Sequence, residues 1–137
     1  MAKEAVLETV TMIYGEDQIL RITINNGAEI GLEQVRLQFE TIRRLCGDNR
    51  IPVLVDARCD HQITREAKEF AADSDSNRIA TAVVTSNPLA SLFINFFIRV
   101  FKPQSRYKSF FSFADAEDWL KQQVLDEQRT TVTIQHE

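Results

Sequence analysis

Two short runs of apolar residues constrain the fold of this chain more than any other feature. The first, IPVLVDA, covers residues 51–57, and the second, RIATAVVTS, covers residues 78–86. Continuous apolar runs of this length are typical of strands that are covered on both faces. A helical pattern follows each run, and strands that alternate with helices form parallel sheets with right-handed crossovers. The sequence therefore predicts an α/β protein.

Weaker patterns complete the order of elements. Apolar side chains alternate on either side of the turn signal GED, which predicts an N-terminal antiparallel hairpin. The hairpin adds an antiparallel edge to a mixed, mostly parallel sheet. The predicted elements are five strands, at 6–14, 19–25, 51–57, 78–86 and 106–111, and four helices, at 32–46, after Thr64, from Pro88 and at 112–123.

The composition is that of an ordinary globular domain and argues against one class of partner. The chain has 137 residues, of which 44% are hydrophobic and 26% are charged, so one core suffices. We predict a single domain over residues 1–125, followed by a polar C-terminal tail at 126–137. The formal net charge is -4 and the pI is about 5.2. Nucleic-acid partners are not expected, because they require a basic face.

The N-terminus and the cysteines indicate a cytoplasmic protein. The first residues, MAKEAVLETV, include acidic side chains and lack the apolar run of a secretory signal. Apolar stretches stay shorter than the ~20 residues that span a bilayer, so no transmembrane segment is expected. Cys46 and Cys59 do not form a Cys-x-x-Cys pair, and two unpaired thiols fit a reducing compartment.

Three segments resemble a known family. They are VLVDARCDHQITREAKEF at 53–70, the buried strand AVVTS, and FFSFADAEDWL at 110–120. In this order they resemble the SpoIIAA-like branch of the STAS domains, which are anti-sigma-factor-antagonist and sulfate-transporter-associated modules. The family is related in fold to lipid-carrying Sec14-type domains. The resemblance implies a non-enzymatic regulatory module that works through protein–protein interaction.

The chain departs from that family at the regulatory position. Asp56 matches the aspartate that ends the family's strand, but the aspartate-serine-serine motif that should follow is replaced by Thr64, Arg65 and Glu66. The phosphorylatable serine is therefore missing. Thr64 is interpreted as the N-cap of the second helix, and a phosphate acceptor at a helix N-terminus is the alternative.

The polar segment at 56–66 is the nearest approach to a chemical cluster. It follows a parallel strand, where α/β sheets place ligands. A Cys59–His61 pair could act as a nucleophile, but no third orienting group accompanies it. Metal ligands are too few, glycine-rich phosphate loops are absent, and we predict no catalytic, cofactor-binding or metal-binding residues. The alternatives are a solvated loop or a surface for a partner or anionic ligand formed by Asp56, Arg58, His61, Thr64 and Arg65.

The segment PLASLFINFFIRVFKP at 88–103 is more apolar than one helix face requires. At about 100° per residue its apolar side chains cover roughly 240° of the helix, whereas a helix over a sheet buries an arc somewhat above 100°. One flank can cover the sheet, and the other must meet something else. The residues proposed for a dimer interface or an apolar ligand are Leu89, Phe93, Phe96, Phe97, Val100 and Phe101.

Four occupants of the second flank remain open. They are the last helix with Trp119, a second copy of the chain in a homodimer, an apolar ligand or lipid, and a membrane surface. Weak membrane contact would use the cations Arg99, Lys102, Arg106 and Lys108. The sequence predicts a non-enzymatic regulatory protein-interaction module, with a carrier or sensor of a small apolar molecule as the alternative.

Overall fold

The computed structural model describes the backbone of residues 3–136 and the side chains of residues 3–130. The chain forms eight strands and four helices over these residues. Their bounds are β1 (Lys3–Val6), β2 (Val10–Tyr14), β3 (Leu20–Ile24), β4 (Ala28–Ile30), α1 (Leu32–Cys46), β5 (Ile51–Asp56), β6 (His61–Ile63), α2 (Arg65–Ser74), β7 (Arg78–Val84), α3 (Pro88–Phe101), β8 (Arg106–Phe110) and α4 (Phe113–His136).

Six of the strands form a mixed sheet in the order β1-β2-β3-β5-β7-β8. The strands β1, β2 and β3 are antiparallel, whereas β3, β5, β7 and β8 run parallel. The α/β class, the four helices and the antiparallel N-terminal edge are confirmed, but the predicted count of five strands is wrong. The predicted strand 6–14 breaks in two because the Leu7 amide donates to the Val10 carbonyl at 2.8 Å, which closes a turn.

The strands β4 and β6 form a separate two-stranded parallel sheet that the sequence did not predict. Each is three residues long, too short to show a period of alternation. The amide of Gly27 donates to Asp60 at 2.7 Å and the amide of Thr64 donates to Ile30 at 3.0 Å, which closes both ends of the pair. The small sheet therefore holds the polar segment 56–66 against the main domain.

The helices cover the main sheet unequally. On one face α4 packs alone, with Ala116 and Leu120 buried against Ala80, Ala82 and Val84. On the opposite face α1 contacts the edge strand β1, α2 lies between α1 and α3, and α3 lies over the other edge strand, β8. Trp119 contacts Phe110 on the α4 face, with ring centroids 5.6 Å apart. The interpretation that the last helix covers the apolar flank of α3 is therefore wrong.

The ends of the helices confirm the predicted cap at Thr64 and correct the predicted end of the last helix. The hydroxyl of Thr64 accepts from the Ala67 amide at 3.2 Å, and that of Ser112 accepts from the Asp115 amide at 3.1 Å. The last helix continues to His136 instead of ending near residue 123. An ion pair of 2.6 Å between Arg50 and Glu127 ties this extension to the loop before β5.

Candidate ligand-binding cavity

A cavity of about 680 Å³ lies between the sheet and the helices α1, α2 and α3. It exists because α3 packs over β8, at the sheet edge, and because several wall residues of α2 and α3 are alanines. Its volume falls within the roughly 300–1,000 Å³ of small-molecule sites. Most of the wall is apolar and includes Ile22, Val35, Phe39, Val55, Val83 and Phe97. We call this space the central cavity.

Three polar atoms in the wall of the central cavity have no hydrogen-bond partner. They are Nε2 of Gln38, Nε of Arg78 and Oγ1 of Thr85, and no other buried side-chain atom within residues 3–130 shares this state. The three residues expose 9%, 7% and 1% of their surface, respectively. Buried polar groups are normally paired, because each unpaired group costs about 1–3 kcal/mol. The unpaired groups of this protein are thus concentrated in one place.

Arg78 reaches the cavity through an irregularity in β7. Ile51 pairs with Arg78 but Pro52 pairs with Ala80, so Ile79 is an extra residue of β7, as in a β-bulge. Strict alternation would place Arg78 with Ala80 on the α4 face. The bulge places it instead in the cavity wall with Thr81 and Val83.

The guanidinium of Arg78 has long hydrogen bonds and, among the described residues, no direct ion pair. Its Nη1 lies 3.4 Å from the hydroxyl oxygens of both Thr81 and Tyr107. No Asp or Glu oxygen among the described residues lies within 4.0 Å of its guanidinium nitrogens. Burial raises the pKa of the Tyr107 phenol, so this neighbour is neutral and does not balance the charge.

Asp75 interacts with the Tyr107 phenol beside Arg78, but it forms no direct ion pair with the guanidinium. It is fully buried at the end of α2. Its carboxylate accepts from the Gln104 amide at 3.0 Å, the Ser105 amide at 3.3 Å and the Ser105 hydroxyl at 2.5 Å. Asp75 therefore holds the α3–β8 connection against α2.

The predicted polar surface is only partly assembled as one site. Arg58 and His61 lie in the cavity wall, whereas Asp56, Thr64 and Arg65 lie outside it. Arg58 pairs with Asp56 at 2.9 Å, and its Cζ lies 4.6 Å from the centroid of the Phe113 ring. The hydrogen bond from Arg58 lowers the pKa of the Asp56 carboxyl.

The start of α2 is also engaged internally. Thr64 caps the helix, as predicted, and Arg65 pairs with Glu69 at 3.1 Å. The Cζ of Arg65 lies 5.9 Å from the centroid of the Phe101 ring. Arg58 and Arg65 of the predicted surface therefore both pair with acidic residues of the same chain. Their role in binding a partner stays a prediction, as does modification of Thr64.

The Cys59–His61 pair is not arranged as a nucleophile and its base. The Cys59 thiol donates to the Ile24 carbonyl at 3.0 Å, and Nδ1 of His61 lies 2.9 Å from the carbonyl oxygen of Cys59. Burial raises the pKa of the Cys59 thiol, whereas a catalytic thiol needs a lowered pKa. Among the described residues, no three His, Cys, Asp or Glu side chains group as metal ligands.

The Phe-rich helix α3 divides its apolar residues between the cavity and solvent. Phe93 and Phe97 lie in the cavity wall, and Phe97 contacts Tyr107 and Phe101, with ring centroids 5.3 and 5.5 Å apart. Phe93 and Phe96 remain 65% and 59% exposed. The outward residues Leu89, Leu92, Phe96 and Val100 form what we call the outer face of α3. Within residues 3–136, no helix combines the length and apolarity needed to cross a bilayer.

The sequence analysis missed the residues that most define the cavity. Gln38 follows Val35 by three positions and precedes Ile42 by four, so a polar residue stands on the apolar stripe of α1. This polar residue within an apolar stripe can be recognised from the sequence. Thr85 shares the alternation of Thr81 and Val83, but its lack of a partner depends on the surroundings. Arg78 has no local signal, because the bulge decides its face.

The fold belongs to the SpoIIAA-like α/β class. A similar solved structure is the crystal structure of an uncharacterized protein of the DUF3478 family, with a SpoIIAA-like fold, from Shewanella loihica PV-4. It matches with a TM-score of 0.58 and 15% identity, over 88% of this chain and 95% of that one. The fold predicted from the sequence is confirmed.

The chain belongs to the family described as domain of unknown function DUF7793, whose model matches residues 13–124. A structure of a protein with unknown function from Arthrobacter sp. FB24 shares 29% identity over 85% of this chain and 96% of that one, with a TM-score of 0.33. No curated protein shows significant similarity to the chain.

Proposed function

We propose that this domain is a non-enzymatic module that binds a small, mainly apolar molecule in the central cavity and acts as its carrier or sensor. The observation that carries the proposal is the coincidence of an apolar wall with three buried, unpaired polar atoms, in Gln38, Arg78 and Thr85. Ligand sites commonly combine apolar walls with a few polar groups that orient the ligand.

Filling by water alone would leave much of this arrangement unexplained. Ordered water needs two to four polar partners, and apolar cavities stay dry. Water can satisfy Arg78 or Thr85, but it gains little against Ile22, Val55 and Phe97. A ligand with an apolar body would satisfy both parts of the wall, which supports binding of an organic molecule.

Exposed wall residues offer a route of entry. Arg58, Ser86 and Asn87 are exposed and lie at the carboxyl ends of β5 and β7, and Phe93 is exposed on α3. Ligands of open α/β sheets bind beside the carboxyl ends of strands. A ligand entering here would contact α3 first, so α3 could report its presence.

We also propose that the outer face of α3 serves regulation and that a second copy of the chain covers this face. Leu89, Leu92 and Phe96 are exposed together on it. Aromatic and aliphatic residues clustered in this way are typical of homodimer interfaces. Since α3 also lines the cavity, ligand and partner would share one helix. The free thiols of Cys46 and Cys59 support a reducing, cytoplasmic location.

Filling the cavity tests the binding proposal. The variant Val83→Phe enlarges a side chain of the wall without breaking the strand propensity of β7. Anilinonaphthalene sulfonate, an anionic amphiphilic dye that fluoresces when bound in apolar surroundings, serves as the probe. We expect Val83→Phe to weaken dye binding about tenfold, the effect of roughly 1.4 kcal/mol.

The matched control is Val6→Phe, the same change at an exposed position of β1. It should leave dye affinity within twofold of the wild-type value. Thermal unfolding confirms that both variants are folded. Equal dye affinity in the wild type and a folded Val83→Phe would contradict binding in the central cavity.

A further inference from the structure

We infer that the ligand is an anionic amphiphile whose carboxylate or phosphate binds Arg78 inside the central cavity. The inference rests on the proposed function and names its ligand class. The carrying observation is a buried guanidinium in a cavity wall, with one nitrogen unpaired and no direct ion pair to any described residue.

The charge of Arg78 is permanent, because a guanidinium does not lose its proton in proteins. A buried charge costs several kcal/mol unless an opposite charge or full hydrogen bonding compensates it. The two contacts of Nη1, at 3.4 Å to neutral hydroxyls, are long for charge-assisted bonds. Asp75 accepts hydrogen bonds from Gln104 and Ser105. No carboxylate of the described residues pairs directly with the Arg78 guanidinium, so a ligand would have to supply its direct anionic partner.

The free side of the guanidinium has the geometry that planar anions need. Both side-chain hydrogen bonds of Arg78 to described residues use Nη1, which leaves Nε, and with it the Nε–Nη2 edge, for a ligand. That edge offers two parallel N–H groups, which match the oxygen pair of a carboxylate or phosphate. Gln38, whose buried amide Nε2 is unpaired, lines the same cavity and offers a second, neutral donor.

The apolar wall indicates that the ligand carries a hydrocarbon part attached to its anionic head. A bare inorganic anion would fit this wall less well. Arg78 begins β7 and Thr85 follows its last residue, so the wall along β7 spans roughly 20 Å at about 3.3 Å per residue. Between them lie Val83, Val55 and Phe97, which offer no hydrogen bond to an ion. We place the head at Arg78 and the hydrocarbon along Val83 toward the exposed residues at the other end.

Three ligands of equal chain length separate the possible head groups. Decanoate, decyl phosphate and decanol differ in the head alone, and their affinities are measured by displacement of the fluorescent dye. Hydrogen bonds to charged groups contribute about 1.5–3 kcal/mol, so we expect at least one anion to bind about 10–100-fold more tightly than decanol. The tighter of the two anions identifies the head group as carboxylate or phosphate.

Arg78→Gln should remove this preference, lowering anion affinity about tenfold or more while decanol affinity stays within twofold. The matched control is Arg99→Gln, which removes an exposed arginine outside the cavity wall. It should retain the preference. An unchanged preference in Arg78→Gln, or an equal loss in Arg99→Gln, would overturn the position of the head.

The wild-type protein tests the inference even if Arg78→Gln does not fold. Equal affinity for decanol and both anions overturns the anionic head but leaves the proposed function intact, provided that Val83→Phe still weakens binding. Failure of all three ligands, together with an inert Val83→Phe, overturns the proposed function itself. The two failures are therefore distinguishable.

Discussion

The guanidinium of Arg78 lies over the ring of Phe39, with its Cζ 4.9 Å from the ring centroid. This contact joins β7 to α1 across the central cavity. A desolvated cation–π contact contributes about 2 kcal/mol, whereas an unpaired buried ion costs several kcal/mol. The ring therefore holds the charge in place without compensating its burial. Arg78 should therefore lower the stability of the ligand-free protein, and a bound anion should restore that stability.

Replacing the charge should stabilise the ligand-free protein. We expect Arg78→Met to raise the free energy of unfolding by about 1–3 kcal/mol, since methionine fills similar space without a charge. Urea unfolding of delipidated protein measures the change. Arg65→Met, at an exposed ion pair, is the control and should change stability by less than about 1 kcal/mol. A loss of stability in Arg78→Met would show that the arginine is a structural residue.

The ion pair of Asp56 with Arg58 should make stability depend on pH in the acid range. Because the folded protein lowers the pKa of Asp56 below its ordinary 3.8, the folded state binds this proton less readily than the unfolded chain. The contribution is thus complete above about pH 4 and is lost as pH falls through the folded value. We expect wild type to be more stable than Asp56→Asn near neutral pH. Urea unfolding at several pH values should show the difference shrinking in acid, and a constant difference would contradict the assignment.

Both thiols should react slowly with alkylating reagents. Burial raises the pKa of Cys46 to about 11, so near pH 8 its thiolate fraction is about one hundredth of that of a thiol at 9.0. Burial also raises the pKa of Cys59, which is less buried. With iodoacetamide as the reagent, we expect Cys46 to be alkylated more slowly than Cys59, and Cys59 more slowly than the thiols of the urea-unfolded chain. Mass spectrometry follows the reaction. A Cys59 faster than the unfolded chain would revive the nucleophile hypothesis.

Charging the outer face of α3 should separate the proposed homodimer. Phe96 is exposed and lies outside the cavity wall, so Phe96→Asp changes this face without filling the cavity. Light scattering after size exclusion should give twice 15.7 kDa for wild type and 15.7 kDa for Phe96→Asp. Asn95→Asp adds the same charge beside it and should remain dimeric. A wild type of 15.7 kDa at every concentration would reject the dimer.

Local patterns in the sequence predicted most of the elements. The runs at 51–57 and 78–86 became β5 and β7, and the apolar segment after Asn87 became α3 with the predicted start at Pro88. The cap at Thr64 was also confirmed. These features could be predicted because period, cap and turn chemistry depend on residues a few positions apart.

The site depended on relationships that no local pattern contains. The sequence analysis placed the candidate ligand surface at 56–66, and the structure brings Arg58 and His61 of that segment into the cavity wall. Gln38 was hidden within a helical stripe, and Arg78 was hidden at the start of a strand. The prediction that the sheet cannot cover both apolar flanks of α3 agrees with the exposure of Phe93 and Phe96.

An α/β protein with an antiparallel edge and an unusually apolar third helix can be predicted from the residue pattern, because hydrophobic periodicity specifies which faces are buried. The cavity beneath that helix and the position of Arg78 in its wall follow from packing in three dimensions. The extra residue Ile79 turns Arg78 to the cavity face, and the position of α3 over β8 leaves the space unfilled. Both depend on the packing of distant segments.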